Sequence, residues 1–526
     1  MKLLAALVFL GMFVPASSAS ITAKMWSPND LPVISDSNSF RAVFAPLTFT
    51  SINDDYSFAV NNSYKDFQAV LVPCSQAQTI DPNYRVCITS VQYRTVGTVN
   101  WSAATLGPIQ LSNTPTTTIA KTGLPKDFLN VGPFSSDQSL FRPEGGIASV
   151  WDMSKAIHDG SSTYLLRARI SSPGADKTSS VDGGLQNLFK LELIPVDFPK
   201  TGSTFTQDQY QIQNFPKGIE YRVRIQFGVY IKSLSGWYFN RLQNPSFDSN
   251  APLGYLDVAG LPAFIPAGVT QVLKNSEVPS AVTNCPVDSY CGSTSLINSR
   301  YAPFDSEERI NPNILAAFEA VPGGVKTVAT ISQWGLDSTR LSEVTSTSQE
   351  SQDCLFALHG KGARVFLGTV SSNASLFQTT PPTWNSTDKS FSFKVASPHL
   401  DENGKPNLGY YTLMIPIEQA VCRWGDQVQN PVAQIEVVNQ DGTTKITTAS
   451  AQTEFGLLKF QISGFGYSNP TIRIKLGGKL SDPQPTEAPK KPIAAIPSAT
   501  IICTKGKVVK KITALHPTCP MGFKKK

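Results

Sequence analysis

The 526-residue sequence predicts an all-β protein, built from two or more antiparallel sandwich-like domains with few short helices. Three observations carry that expectation. Apolar residues recur at every second position in several segments, turn-forming dipeptides fall between those segments, and helix-period patterns are scarce. Composition agrees, because charged residues are only 16% while 29 Phe and 15 Tyr supply the aromatic rings that pack well on pleated strands.

Alternation is clearest over residues 221–231, where Val223, Ile225, Phe227 and Val229 fall on one face and Arg222, Arg224 and Gln226 on the other. Residues 188–193 repeat it, with Phe189, Leu191 and Leu193 opposite Lys190 and Glu192. Near the C-terminus Leu458, Phe460 and Ile462 alternate with Lys459 and Gln461, and Ile472, Ile474 and Leu476 with Arg473 and Lys475. One face meeting a core and the other meeting water is the pattern of antiparallel sheets.

The turns are read from residues that tolerate positive φ. Asp441-Gly442 joins 435–438 to 444–448 as a hairpin, Asn403-Gly404 separates strands at 391–396 and 410–415, and Gly97 separates 91–96 from 99–101. A helix is expected over 314–321, opened near Asn313 and stopped by Pro322-Gly323-Gly324, and a weaker one over 149–158, ended by Gly160.

The N-terminus reads as a secretory signal peptide, residues 1–19. Lys2 gives a positive start, residues 3–14 form an apolar core too short to span a membrane, and Pro15 to Ala19 supply small residues for cleavage. No later stretch is apolar enough for a transmembrane span. The expected organisation continues with an N-terminal β domain at 20–200 and a C-terminal β region at 201–479, with a further division near 342–360. A Pro-rich linker at 480–499 and a Lys-rich two-Cys tail module at 500–526 complete it. Five prolines between 480 and 500 favour a semi-extended spacer, reaching up to roughly 60 Å at ~3.1 Å per residue.

Eight cysteines behind an export signal read as disulfides formed outside the cytoplasm. Their clustering suggests the neighbour pairs Cys74–Cys87, Cys285–Cys291, Cys354–Cys422 and Cys503–Cys519, although eight cysteines allow 105 connectivities. A zinc site is a poor reading, since no C-x-x-C pair occurs and the four histidines are scattered.

Charge is unevenly placed. Residues 490–526 hold nine lysines and no acid; setting aside those nine and Lys2 from the 45 basic residues leaves 35, against 39 acidic ones. The body is therefore about −4 and the tail about +9. Lys505, Lys507, Lys510, Lys511, Lys524, Lys525 and Lys526 lie in or beside the Cys503–Cys519 segment and are the candidate anchoring residues. Such a density favours anionic partners. After export the expected partner is an anionic cell-envelope polymer rather than nucleic acid; a solvated, solubilising tail is the plainer alternative.

Catalytic signatures are missing: no G-x-S-x-G elbow, no H-E-x-x-H and no G-x-x-x-x-G-K-[ST] loop, and no catalytic residue, cofactor or metal ligand is assigned. Asp305, Glu307, Glu308 and Asp159 could be recruited as paired carboxylates, and a solvated acidic loop explains them equally well. Trp237 and Trp384 are the candidates for stacking on a sugar ring, against the ordinary alternative of core packing.

The block Ser235-Gly236-Trp237-Tyr238-Phe239-Asn240-Arg241-Leu242 with Asn244-Pro245, the run from Ala396 to Leu400 with Gly409-Tyr410-Tyr411, Cys422-Arg423-Trp424-Gly425, and 464–470 resemble an uncharacterised family of exported actinobacterial proteins. The ending from Ile502 to Lys526 is similar to a short lysine-rich C-terminal module carried by many secreted proteins of that phylum. The resemblance covers residues 220–478 and the last 27; it implies a secreted or cell-surface setting and carries no catalytic residues. The expectation is thus a non-enzymatic extracellular or cell-envelope protein, with a carbohydrate- or polymer-binding module as the alternative and a secreted hydrolase behind it.

Overall fold

The computed structural model describes residues 39–44, 55–111, 129–172, 188–280, 301–304, 313–338, 354, 358, 365–476, 499–514 and 524–525, apart from short gaps inside these ranges. Chain contacts divide it into two units, residues 1–476 and 477–526.

The first unit is all-β. Its main strands in the first part of the chain are β1 (Ser39–Phe44), β2 (Ser63–Val70), β3 (Cys87–Thr95), β4 (Thr163–Ser172), β5 (Leu188–Asp197), β6 (Ile219–Gln226), β7 (Gly236–Asn240), β8 (Leu242–Asn250), β9 (Tyr255–Thr270) and β10 (Val325–Ser338). Then come β11 (Phe366–Ser372), β12 (Thr383–Asn385), β13 (Ser390–Ala396), β14 (Leu408–Pro416), β15 (Ala433–Val438), β16 (Thr444–Glu454), β17 (Leu457–Gly466) and β18 (Thr471–Leu476). Two short helices occur among the described residues, α1 (Asn313–Glu319) and α2 (Ile417–Trp424).

A single hydrogen-bonded sheet runs β2–β4–β5–β10–β7–β11–β14–β17–β16 through the unit. All its neighbours are antiparallel except β7 and β11, which run parallel. A second sheet, β3–β6–β9–β8, covers one end of it. A third, β12–β13–β18–β15–β16, covers the other.

Residue alternation puts the two covering sheets on opposite faces of the central one. On β7, Tyr238 belongs to the core formed with Val91, Val223, Leu191 and Trp334, whereas Trp237 belongs to the core formed with Phe391, Leu413, Phe460 and Ile474. Met414 and Leu413 on β14, and Leu457 and Leu458 on β17, divide in the same way. Strands buried on both faces read as nearly continuous apolar runs, and Gly236-Trp237-Tyr238-Phe239 is one. β16 pairs with β15 at its start and with β17 at its end, so one strand turns the corner between two sheets.

Several local expectations hold. α1 forms where helix period and the following Pro-Gly-Gly placed it, with Leu315 and Phe318 buried. Val438 stands opposite Thr444, as the hairpin around Asp441-Gly442 requires, although 439–443 lie outside the described residues. Others differ. Residues 149–158 are not helical: Ser149–Asp152 is a strand paired with β4, and the chain reverses through Asp159 and Gly160, both at positive φ. Val229 leaves the expected core face because β6 stops at Gln226 and a 3-10 turn starts at Gly228; Val229 is 40% exposed. Gly228 has φ +52, and a Cβ there would sit 2.1 Å from the Asn83 carbonyl oxygen, so a side chain is excluded. The strands around Asn403-Gly404 do not pair with each other: β13 joins the third sheet and β14 the central one.

Disulfides close Cys74 to Cys87, across 13 positions, and Cys354 to Cys422, across 68. Cys285, Cys291 and Cys519 lie outside the described residues, as do the signal peptide, residues 480–498, His359, Asp305, Glu307 and Glu308.

The second unit contains a three-stranded antiparallel sheet of β19 (Ala499–Lys505), β20 (Val508–Ala514) and β21 (Lys524–Lys525).

Candidate functional site

Trp237 and Trp384 have opposite fates. Trp237 is 6% exposed and packs edge-on to Phe391, 6.1 Å between ring centroids. Gly368 on β11 makes room for it: a Cβ on that glycine would lie 2.6 Å from the indole Cζ3. This indole has no face to offer a sugar and is a core side chain.

Trp384 sits on β12, the edge strand of the third sheet, and is half-buried. Its ring meets Phe391 of β13 at 5.0 Å and Trp424 of α2 at 5.2 Å, the latter nearly perpendicular. Trp424 is itself fixed, 3% exposed, with its Nε1–H donated to the Lys389 carbonyl at 2.9 Å. α2 delivers Trp424 because Ala420 and Trp424, four residues apart, share its buried face. Its fold-back follows Pro416, and the Cys354–Cys422 disulfide ties it down.

Arg423 completes this cluster. Its guanidinium lies 5.2 Å from the Phe391 ring centroid and 5.8 Å from that of Trp384. Its hydrogen bonds run from one terminal nitrogen to the Gln419 carbonyl and side-chain oxygens, at 3.3 and 3.4 Å. The Gln419 amide in turn donates to the Phe366 carbonyl at 3.1 Å. Nε of Arg423 is buried without a hydrogen-bond partner, and no carboxylate pairs with the group among the described residues. Burial pushes its pKa down to about 10, with no acid opposing the shift. The group is therefore charged at neutral pH, set on an aromatic shelf, and short of an anion.

Several other cationic groups are paired with acids inside the unit. Arg167 is buried and donates to Asp55 at 2.5 Å and to the Tyr210 hydroxyl at 2.8 Å; Tyr210 donates to the second Asp55 oxygen at 2.8 Å. Burial works against the Arg167 charge, and Asp55 outweighs it to raise the pKa. On the outer face of β3, β6 and β9, Arg222 and Arg224 share Asp257, and Arg94 pairs with Glu220 and stacks over Trp101 at 4.2 Å. Lys459 is 3% exposed and donates to the Pro245 carbonyl at 2.6 Å, with Glu454 at 3.4 Å.

In the tail, Cys503 has Lys510 as its register partner on one side and Lys525 on the other, while Lys511 is opposite Ile502 and Lys524 opposite Thr504. Lys505 ends β19, and Lys507 and Lys526 lie outside the described residues. Among the described residues no group of three or more His, Cys, Asp or Glu could hold a metal ion, and no helix is long and apolar enough to cross a membrane. His399 is exposed, with Nδ1 2.8 Å from the Tyr467 carbonyl. Sequence reasoning found Trp384 but missed Arg423 as its partner, since the two are 39 positions apart and no local pattern joins them.

The chain matches no protein-family model, no curated protein sequence and no solved structure.

Proposed function

We propose that this is an exported, non-enzymatic protein of the cell envelope, whose lysine-rich tail holds it to an anionic envelope polymer. The observation that carries the reading is the separation of charge, a body of about −4 and a tail with nine lysines and no acid over residues 490–526. A polyanion attracts the tail and not the body. The short three-stranded sheet supports it, because closely spaced strands, ~4.8 Å apart, gather lysines distant in sequence into neighbouring register rows. The N-terminal signal pattern, the disulfides and the resemblance to exported actinobacterial proteins fit the same setting.

Binding of the mature protein to isolated envelopes tests this. Retention is expected at low salt, with release as ionic strength passes ~0.15 M, where the Debye length is about 8 Å. Deleting 500–526 removes retention, and equal retention of the truncated chain overturns the reading.

A further inference from the structure

We infer that Arg423 and Trp384 form a binding subsite for an acidic glycan, the guanidinium taking an oxyanion and the indole taking the adjoining sugar ring. This rests on the polymer-binding reading for its setting, but on residues remote in sequence from the lysine tail.

The geometry supports each half. A guanidinium is a planar fork that binds carboxylate or phosphate oxygens through two parallel N–H bonds. Arg222 spends that fork on Asp257, Arg167 gives Nε to Asp55 and a terminal nitrogen to Tyr210, and Arg241 turns a terminal nitrogen to the Ser372 and Ala374 carbonyls. The two contacts of Arg423 with Gln419 are long and come from one nitrogen, and Nε has none. Nε is closed to solvent, so an incoming oxyanion would be taken by the terminal nitrogens, of which only one is engaged by Gln419. The rings beneath the cation offset part of its desolvation and hold its plane.

The indole half depends on exposure. Trp237 and Trp424 are sealed at 6% and 3%, whereas Trp384 is half-buried on an edge strand whose outer side carries no further strand among the described residues. Phe391 and Trp424 fix its plane from within. A fixed, partly open aromatic ring beside an unpaired cation matches a sugar bearing an acidic group. A neutral sugar would use only the ring, and a free anion only the cation.

The full mature chain would be titrated calorimetrically with a galacturonate hexamer, a phosphorylated maltohexaose and neutral maltohexaose. One or both acidic oligomers should bind at least about tenfold more tightly than the neutral one. Arg423→Met keeps the aliphatic stem over the rings and should lose that preference. Trp384→Ala should lose affinity for all three, with Trp384→Phe retaining most of it as a control for folding. Near-ultraviolet circular dichroism confirms that each variant keeps its aromatic packing. Affinity unchanged in Arg423→Met, equal affinity for acidic and neutral oligomers, or no binding at millimolar concentration overturns the inference. The tail-deleted chain separates the two proposals. It should keep the preference for acidic oligomers while losing envelope retention, and Arg423→Met should lose that preference while keeping retention.

Discussion

Trp237 and Gly368 form a pair in which each residue explains the other. The indole fills the space that the missing Cβ leaves, and Gly368 adopts φ +150, which non-glycine residues rarely take. Trp237→Ala should therefore cost about 3–5 kcal/mol through lost burial and an unfilled cavity. Gly368→Ala should destabilise as well, because the new methyl meets both the indole and the Met414 carbonyl. Urea titration with an unchanged m-value reads both effects, and a near-neutral Trp237→Ala would remove the tryptophan from the core. His158 supplies a pH effect at the same scale. It is 3% exposed, edge-on to Tyr164 at 4.9 Å, with Nε2 2.8 Å from the Thr163 carbonyl oxygen. That contact makes Nε2 the protonated nitrogen and leaves buried Nδ1 unpaired. Burial lowers its pKa below 6.5, while the Thr163 carbonyl and the Asp197 and Asp159 charges pull weakly the other way. The unfolded chain then binds the proton more readily, so the stabilisation is present above pH 6.5 and lost as pH falls through the folded value. Stability should decline below pH 6.5 in the native protein and less steeply in His158→Gln; identical slopes would show that His158 is not the titrating group.

At the scale of elements, much of the fold was legible wherever one face of a strand meets water. β5, β17 and β18 fall where alternation placed them, as does the α1 helix. Legibility fails where both faces are buried or where tertiary contact ends an element. β7 shows no alternation because Trp237 and Tyr238 serve opposite cores, which also made Trp237 resemble a displayed ring. On β11 Thr369, Ser371 and Ser372 look solvent-facing in sequence, yet all are buried, and the Asn240 amide donates to the Thr369 hydroxyl at 2.7 Å across the parallel pair. β6 ends early because the Asn83 backbone crowds Gly228. α2 went unread because eight residues give barely two turns of pattern. The Cys354–Cys422 pair, in contrast, was readable from neighbour spacing. Breaking it with the double change to Ser should lower stability by about 4 kcal/mol in the chain-entropy account and loosen α2, which carries both Trp424 and Arg423. Non-reducing peptide mapping tests the link, and free thiols at both positions would refute it.

At the scale of the molecule, the central sheet couples two cores that could otherwise be taken for separate sandwiches. Its strands β7, β14 and β17 present alternate residues to each core, so neither covering sheet can detach without exposing the backs of strands the other core requires. Met414, 0% exposed in one core, is flanked by Leu413 and Ile415, both 0% exposed in the other. Because neighbours on a strand cannot be displaced independently, losing one core should carry the other with it. With disulfides intact, calorimetry of residues 20–526 should then show one main transition for the first unit, and single-core variants should move it as a whole. Leu191→Ala tests the first core and Phe460→Ala the second, both residues being fully buried. Each should lower the same melting temperature, by about 2–4 °C per kcal/mol at most for a body larger than 250 residues. The lysine-rich tail, a separate contact unit, should leave this transition unmoved when deleted. Two transitions, each shifted by only one of the core variants, would mean that the sandwiches unfold independently and that the shared sheet does not couple them.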